Sequence, residues 1–458
     1  MHESTLLIAG YGVSGQGAAR LASALKLPYY IVDERDTPEM HAAASALNPP
    51  PLGFCTGWKP GIPLPQCDEV LLSPGIRLSS PFGTALRAAA KNGKCSGELS
   101  FALRSIRCPV VMITGTNGKT TTTELANVLF QAAGMRSAAA GNIGVSLSDS
   151  AVEALRDGLD LLVVEVSSFQ LESMDPFTPA AAAVLNLAGD HLDRHGSMHE
   201  YAATKFRVFG ELRKNCVLAS SLKTYAGEFL NPAADLITFS VSDPSATFYS
   251  DSEQIFFRGT PLMKTAPFQL RGKHNLENIM AALALLYALL GEEVLHRPAV
   301  REALACFKPD AHRIELFLEQ NGIRYVNDSK ATNPHAVNAA LDCVGGDKNV
   351  ILILGGLDKG MDFSELLPSV GKMKMACLIG EAARRIEETL SPFVQCIRCG
   401  SLEEAVSAAC ERAVSGDVVL LSPAAASMDM FRNYRERGEC FKKAVLEYCA
   451  SGKRNACS

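Results

Sequence analysis

Residues 110–124 of this chain, Val-Val-Met-Ile-Thr-Gly-Thr-Asn-Gly-Lys-Thr-Thr-Thr-Thr-Glu, concentrate the groups best suited to handling a phosphate. Four apolar residues predict a buried strand, Gly115 and Gly118 permit a tight turn, and a helix is expected from Thr120 onward. Such a turn aims backbone N–H groups (Gly115, Thr116, Asn117, Gly118) and the positive end of a helix at one point. Lys119 supplies a point charge for the outer phosphates, and the Thr120 hydroxyl can ligate Mg²⁺. Two residues separate the glycines where the usual loop has four, so this is a shortened variant. It reads as a nucleoside-triphosphate site.

Other reactive types sit at expected strand ends. Glu165 closes the apolar run 161–166 and is placed to hold Mg²⁺. Residues 180–187 form another strand, followed by Asp190-His191-Leu192-Asp193-Arg194-His195, where an α/β sheet carries its catalytic groups. Near the start, the strand 6–9 enters Gly10-Tyr11-Gly12-Val13-Ser14-Gly15. A helix is expected over 16–25, then a strand at 31–32 ending in Asp33-Glu34-Arg35. This is a dinucleotide-type βαβ pattern whose ligand could be any nucleotide diphosphate. A further strand at 68–72 closes on Ser73-Pro74-Gly75, either a crevice edge or a plain turn.

These groups need several domains to position them. A chain of 458 residues exceeds one ordinary core. Residues 95–107 read as a helix leaving the first domain, and 141–144 as a second Gly-rich turn. Lys205 lies in an amphipathic helix and, on pattern alone, is a solvated lysine. Strands are expected at 217–218 and 236–239, hairpins over 240–269, and a long helix over 279–290 preceded by Gly272-Lys273-His274-Asn275-Leu276-Glu277-Asn278. The Asn and His residues there are either capping groups or the lining of a purine pocket. From Asp310 onward, strands at 324–326, 349–354 and 417–421 each deliver a polar or glycine-rich loop, as in a doubly wound sheet.

Composition excludes several classes. A net charge of −5 with no basic block argues against nucleic-acid binding. No apolar run is long enough to span a bilayer, and the start lacks the features of a signal peptide. Fourteen scattered cysteines suit reduced thiols and a cytoplasmic protein, and Cys396-x-x-Cys399 reads as structural.

Jointly these motifs resemble the Mur ligases of peptidoglycan synthesis, and among them the branch that adds D-glutamate. The resemblance rests on residues 114–120, Glu165-Val-Ser-Ser-Phe-Gln-Leu-Glu172, Asn186 with 190–194, and Gly272-x-His274-Asn275-x-x-Asn278. It continues through His312-Arg313, residues 327–333 and Leu421-Ser422-Pro423-x-x-Ala426-Ser427. It implies an α/β fold of three domains: a Rossmann-like uridine-nucleotide domain (1–96), a central P-loop ATPase-type domain (97–309) and a Rossmann-like amino-acid domain (310–458). It also implies an ATP-dependent ligase acting as a monomer on UDP-N-acetylmuramoyl-L-alanine and D-glutamate. Lys119, His191 and Lys205 are then catalytic. Thr120 and Glu165 serve one Mg²⁺, while His191 and a carbamylated Lys205 serve a second. Residues 115–121, including Thr121, hold ATP with Asn275, Asn278, Arg313 and Asp328. Val13, Ser14, Asp33, Glu34, Arg35, Ser73 and Gly75 face the uridine diphosphate, and Asn142 touches the same substrate. Lys330, Thr332, Lys359, Ser427 and Tyr434 surround D-glutamate. A nicotinamide-dependent oxidoreductase, a nucleotide switch and another amino-acid ligase of the superfamily are the competing readings.

Overall fold

The computed structural model describes residues 4–142, 146–190, 192–270, 272–308, 311–358 and 360–451. His191, Lys359, Ile143 and Gly144 of the second Gly-rich turn, and the expected boundary at Pro309-Asp310 lie outside the described residues. Among the described residues the strands form three sheets, of five, nine and six strands. By contacts the chain divides into two compact units: Met1–Leu187 with His199–Ala266 and Glu277–Ala305, and Ala188–Met198 with Pro267–Leu276 and Cys306–Ser458.

In the first unit, the five-stranded sheet is wholly parallel, in the order Gly53–Cys55, Tyr29–Val32, Leu6–Ala9, Glu69–Leu72, Cys95–Gly97. The helix Val13–Ala24 follows its central strand and starts three residues earlier than the sequence indicates, because Gly12 caps it directly. Cys95–Gly97 is a strand, not the start of a helix; Cys95 is in register with Val70, and the helix begins at Glu98. Three residues are too few to show a period, so the helical pattern behind them dominated the sequence reading.

The nine-stranded sheet carries Val110–Thr114 between Leu161–Glu165 and Ala181–Val184, all parallel. These strands are sealed on both faces; Val111 to Ile113 and Leu161 to Val164 are fully buried, which is why they read as unbroken apolar runs. The expected hairpins appear as Phe248–Ser250, Gln254–Phe257 and Thr260–Lys264, paired antiparallel at one edge. The long helix spans Lys273–Leu290, so His274, Asn275 and Asn278 sit in its first turns and do not precede it.

In the second unit, six strands run in the order Glu315–Gln320, Ile323–Asn327, Val418–Leu421, Val350–Gly355, Met373–Ile379, Gln395–Arg398, with only the first pair antiparallel. Two apolar layers cover this sheet, one built around Leu352, Leu354 and Leu366, the other around Ile351, Ile353 and Phe441. Odd and even residues of one strand feed opposite layers, as a pleated strand requires. No described helix is long and apolar enough to cross a membrane. The described cysteines are all free thiols.

Candidate active site

The strand Val110–Thr114 hands over to the helix Lys119–Ala132 through four residues. Gly115 at φ 156° and Gly118 at φ 80° take backbone angles that side chains resist. Space forbids a substitution as well: a Cβ on Gly118 would lie 2.2 Å from Asn278 Oδ1. Asn186 clasps the loop from the next strand. It accepts the Asn117 N–H at 2.8 Å through Oδ1, donates to the Asn117 carbonyl at 3.1 Å, and its own carbonyl accepts the Thr116 N–H at 3.1 Å. Thr122 Oγ1 donates to Asn278 Oδ1 at 3.2 Å, which brings one of the two expected helix asparagines beside the loop. Thr121 is buried in the first helical turn. Asn275 lies three residues before Asn278 on the same helix.

Two lysines converge on one oxygen. Lys119 Nζ donates to the carbonyls of Gly115 at 2.9 Å and Thr116 at 2.8 Å. Lys205 Nζ donates to the same Gly115 carbonyl at 2.9 Å and lies 4.6 Å from the centre of the Tyr201 ring. At 1% exposure Lys205 is not the solvated lysine its helix pattern suggests. Phe206, Val208 and Phe209 beside it are buried, while Arg207 is exposed and donates to the carbonyls of Glu172 and Met174.

Thr120 and Glu165 also meet. Thr120 Oγ1 donates to Glu165 Oε2 at 2.6 Å, and Asn142 Nδ2 donates to Oε1 at 2.9 Å. Glu165 is 1% exposed, so both partners come from the protein interior or its edge. A hydroxyl and a carboxylate are the all-oxygen donors that Mg²⁺ prefers, and these residues fit that ion. Among the described residues no group of three or more His, Cys, Asp or Glu is arranged to hold a metal.

Separately, a cleft of about 320 Å³ opens at the ends of the first sheet's strands, lined by Gly10, Gly12, Val13, Ser14, Asp33, Glu34, Arg35, Ser73, Gly75, Ile76 and Phe82. All seven residues expected to face the uridine diphosphate are there. Asp33 is buried and held by the protein: it accepts the Tyr11 N–H at 2.5 Å and the Arg35 N–H at 2.8 Å, with Arg35 Nη2 at 3.2 Å. Burial pushes this carboxyl up, but the bonds from Arg35 and the Tyr11 backbone outweigh it and hold it below the usual range. Asp33 therefore shapes the loop and orients Arg35, whose side chain is largely exposed.

In the second unit three strand ends are laced together. The Asp328 N–H bonds to Leu421 O, Gly355 N–H to Pro423 O, Ala424 N–H to Ala331 O and Leu357 N–H to Ala426 O, all within 3.0 Å. Thr332 and Ser427 extend from these laced loops. Lys330 Nζ lies 5.3 Å from the centre of the Tyr434 ring, and Ser329 Oγ donates to Tyr434 O at 2.7 Å. Asp328 accepts from Ser422 Oγ at 2.7 Å and from Ile314 N–H at 3.2 Å, yet burial drives its carboxyl up to about 7. The buried Nε of Arg313 has no hydrogen-bond partner among the described residues, a donor that an anion would satisfy.

A profile described as "Mur ligase middle domain" matches residues 113–286, and one described as "Mur ligase, glutamate ligase domain" matches 312–425. A protein from Thermoanaerobacter sp. (strain X514), named UDP-N-acetylmuramoylalanine--D-glutamate ligase, is 36% identical over 96% of this chain and 98% of its own length. A relative of the same name from Pseudomonas aeruginosa is 35% identical over 96% of this chain and 97% of itself. The chain belongs to the Mur ligase family. The solved structure of a MurF ligase from Thermotoga maritima, in complex with ADP, shares this fold with TM-score 0.59 and 17% identity, over 93% of this chain and 95% of that one. The fold is the three-domain Mur ligase fold, with Rossmann-like sheets at both ends.

One residue of this Mur ligase escaped the sequence reading. Arg437, in the helix Tyr434–Ala450, is fully buried. Its guanidinium donates to Ser329 O at 2.8 Å, Ser329 Oγ and Ala425 O at 3.1 Å, and Gly355 O at 3.4 Å. One side chain thus ties together all three laced loops. Burial lowers it to about 10, so it stays charged at neutral pH. Its position in Arg-Glu-Arg437-Gly looks like an ordinary helix surface, and only its neighbour Gly438 hints otherwise: a Cβ there would strike His312 Nδ1 at 2.2 Å. His274, by contrast, is a packing residue; burial pulls it down to about 4, and its Nδ1 lies 3.8 Å from Cys343 Sγ.

Asp328 carries a pH prediction for this Mur ligase. Its folded-state value lies above the ordinary carboxylate value of 3.8, so the native state binds the proton more tightly than the unfolded chain. Its contribution to stability is therefore complete at low pH and declines as pH rises from about 4 to about 7. Asp328→Asn is expected to flatten that decline in thermal melts recorded across the same window. An unchanged slope would show that Asp328 is ionised throughout.

Proposed function

We propose that this Mur ligase joins D-glutamate to UDP-N-acetylmuramoyl-L-alanine, consuming ATP and releasing ADP and phosphate. The observation that carries the reading is near-full-length identity of 35–36% to relatives named for that reaction. The geometry supports it: a phosphate-binding loop beside an oxygen-donor pair, and a separate nucleotide cleft on another sheet of the same unit. We read the enzyme as cytoplasmic, where ATP and uridine nucleotides are at hand, and as a single chain that is the complete catalyst.

A carboxylate resists attack by an amine until one oxygen becomes a leaving group. Phosphoryl transfer from ATP to the L-alanyl carboxylate makes an acyl phosphate; the D-glutamate amine adds to its carbonyl, loses a proton, and expels phosphate. Lys119 and the positive end of the helix it opens stabilise charge on the moving phosphoryl oxygens, while the Thr116 and Asn117 N–H groups, held by Asn186, shape the loop. Thr120 and Glu165 would hold Mg²⁺, which when bound neutralises those oxygens further. Asn142, which bonds to Glu165, contacts the uridine substrate. Asn275, Asn278, Arg313 and Asp328 hold the nucleotide, and His191 with the modified Lys205 would hold a second Mg²⁺. Lys330, Thr332, Lys359, Ser427 and Tyr434 receive the amino acid. Val13, Ser14, Asp33, Glu34, Arg35, Ser73 and Gly75 hold the uridine diphosphate, Arg35 supplying a positive charge that Asp33 orients.

Lys205 we read as a carbamate. Two ammonium groups on the Gly115 carbonyl repel each other, and converting Lys205 to an anion replaces repulsion from Lys119 with attraction. The neutral amine adds to CO₂, forming an N–C bond and releasing one proton, and gains two oxygens that suit a hard cation.

Phosphate release from ATP with UDP-N-acetylmuramoyl-L-alanine, assayed across a panel of amino acids, tests the reading. D-glutamate is expected to support release, and D-glutamine, lacking the second charge, should be at least about tenfold poorer in kcat/KM. Equal rates with L-alanine or L-lysine would move the chain to another branch of the family.

A further inference from the structure

The loop leaving the strand Val350–Gly355 is gripped by one side chain of the helix Ala383–Leu390. Arg385 donates through Nη1 to both carboxylate oxygens of Asp358, at 2.7 and 2.6 Å, and through Nη2 to the Met361 carbonyl at 2.8 Å. Its guanidinium lies 5.3 Å from the centre of the Phe363 ring. Asp358 Oδ1 also accepts the Gly360 N–H at 2.8 Å. The ends of the loop are anchored independently: Met361 and Phe363 are buried in the apolar layer, and Leu357 N–H bonds to Ala426 O. A planar fork reaching two points of one loop fixes it in a way that a lysine could not.

The same pairing disposes of a charge. Asp358 is the sequence neighbour of Lys359, and a free carboxylate there would compete for the ammonium that a substrate carboxylate needs. Engaged by Arg385, Asp358 has its charge balanced locally.

We propose that Arg385 is a positioning residue for the amino-acid substrate, acting through Asp358 and Met361 on the loop that carries Lys359. The proposal rests on the reading of Lys359 as part of the amino-acid site. It is tested with the full-length enzyme by steady-state rates on Arg385→Ala, Arg385→Lys, Asp358→Asn and the double variant Arg385→Ala/Asp358→Asn. Arg385→Ala should raise the D-glutamate KM about tenfold, while kcat and the KM values for ATP and the uridine substrate stay within about twofold. Asp358→Asn alone should raise it about threefold, and the double variant should fall between Asp358→Asn and Arg385→Ala, because the stray carboxylate is gone but the bond to Met361 is lost as well. Arg385→Lys should fall between wild type and Arg385→Ala. An unchanged D-glutamate KM, a parallel loss in all parameters, or additivity in the double variant would overturn the proposal. Should Arg385→Ala not fold, as judged by thermal melting, Arg385→Lys and Asp358→Asn decide on the same criteria. If the wild type releases phosphate only with a different amino acid, the functional reading fails, and the variants are judged on the KM for that amino acid.

Discussion

Lys119→Ala is expected to lower turnover by about 10³-fold or more, while the uridine substrate still binds within about twofold of wild type. Lys119 donates to the loop carbonyls of Gly115 and Thr116 and is not among the residues that line the first sheet's cleft. A loss of 10³-fold corresponds to about 4 kcal/mol of transition-state stabilisation, the scale of removing one well-placed charge from a dry site. The chain offers its own reporter for the binding half of the test. Its single tryptophan, Trp58, packs 4.9 Å from the ring of Phe82, which lines the cleft. Trp58 fluorescence should titrate with the uridine substrate in both wild type and variant. Equal loss of turnover and of binding would show that the two sites are not the separate devices their sheets suggest.

Lys205→Ala is expected to be nearly inactive, down by about 10³-fold, and to recover in part when formate or acetate is added. An uncharged cavity cannot hold a cation, but a small carboxylate can refill it with the oxygens that a carbamate would supply. The alternative is a lysine that only braces Gly115. In that case added carboxylate would do nothing, since the lost contact is a donor to a carbonyl. A second readout is independent of rate: wild type equilibrated with ¹³C-labelled bicarbonate should show a carbamate carbon resonance that Lys205→Ala lacks. Full activity of Lys205→Ala, or the absence of that resonance, would remove the carbamate from the mechanism.

What the sequence discloses follows from which forces act locally. The strand Val110–Thr114 and the turn behind it were legible because a doubly covered parallel strand needs a continuous apolar run, and the positive φ at Gly115 and Gly118 needs glycine. The cleft of the first sheet was legible for a related reason: its residues follow three strand ends, at Ala9, Val32 and Leu72, close together in the chain. Lys205 was not, because its burial depends on a carbonyl 90 positions away, and helix periodicity carries no trace of that contact. Arg437 was hidden in the same way; its partners Ser329, Gly355 and Ala425 come from three strand ends that only the finished sheet brings together. The misread segment Cys95–Gly97 failed for a different reason, a strand shorter than any detectable period. The raised carboxyl of Asp328 is a property of burial, which no motif encodes.

Arg437 also bears on how this protein is made. It belongs to the last described helix, Tyr434–Ala450, yet its main partner, Ser329, lies 108 positions earlier. During synthesis, N-terminal parts fold first, and the five- and nine-stranded sheets are complete in sequence long before this helix leaves the ribosome. The loops at the third sheet's strand ends must wait for their shared donor. A chain that stops before Tyr434 would thus keep every residue of the first sheet's cleft and of the glycine loop, but would leave the carbonyls at the third sheet's strand ends without the cation that gathers them.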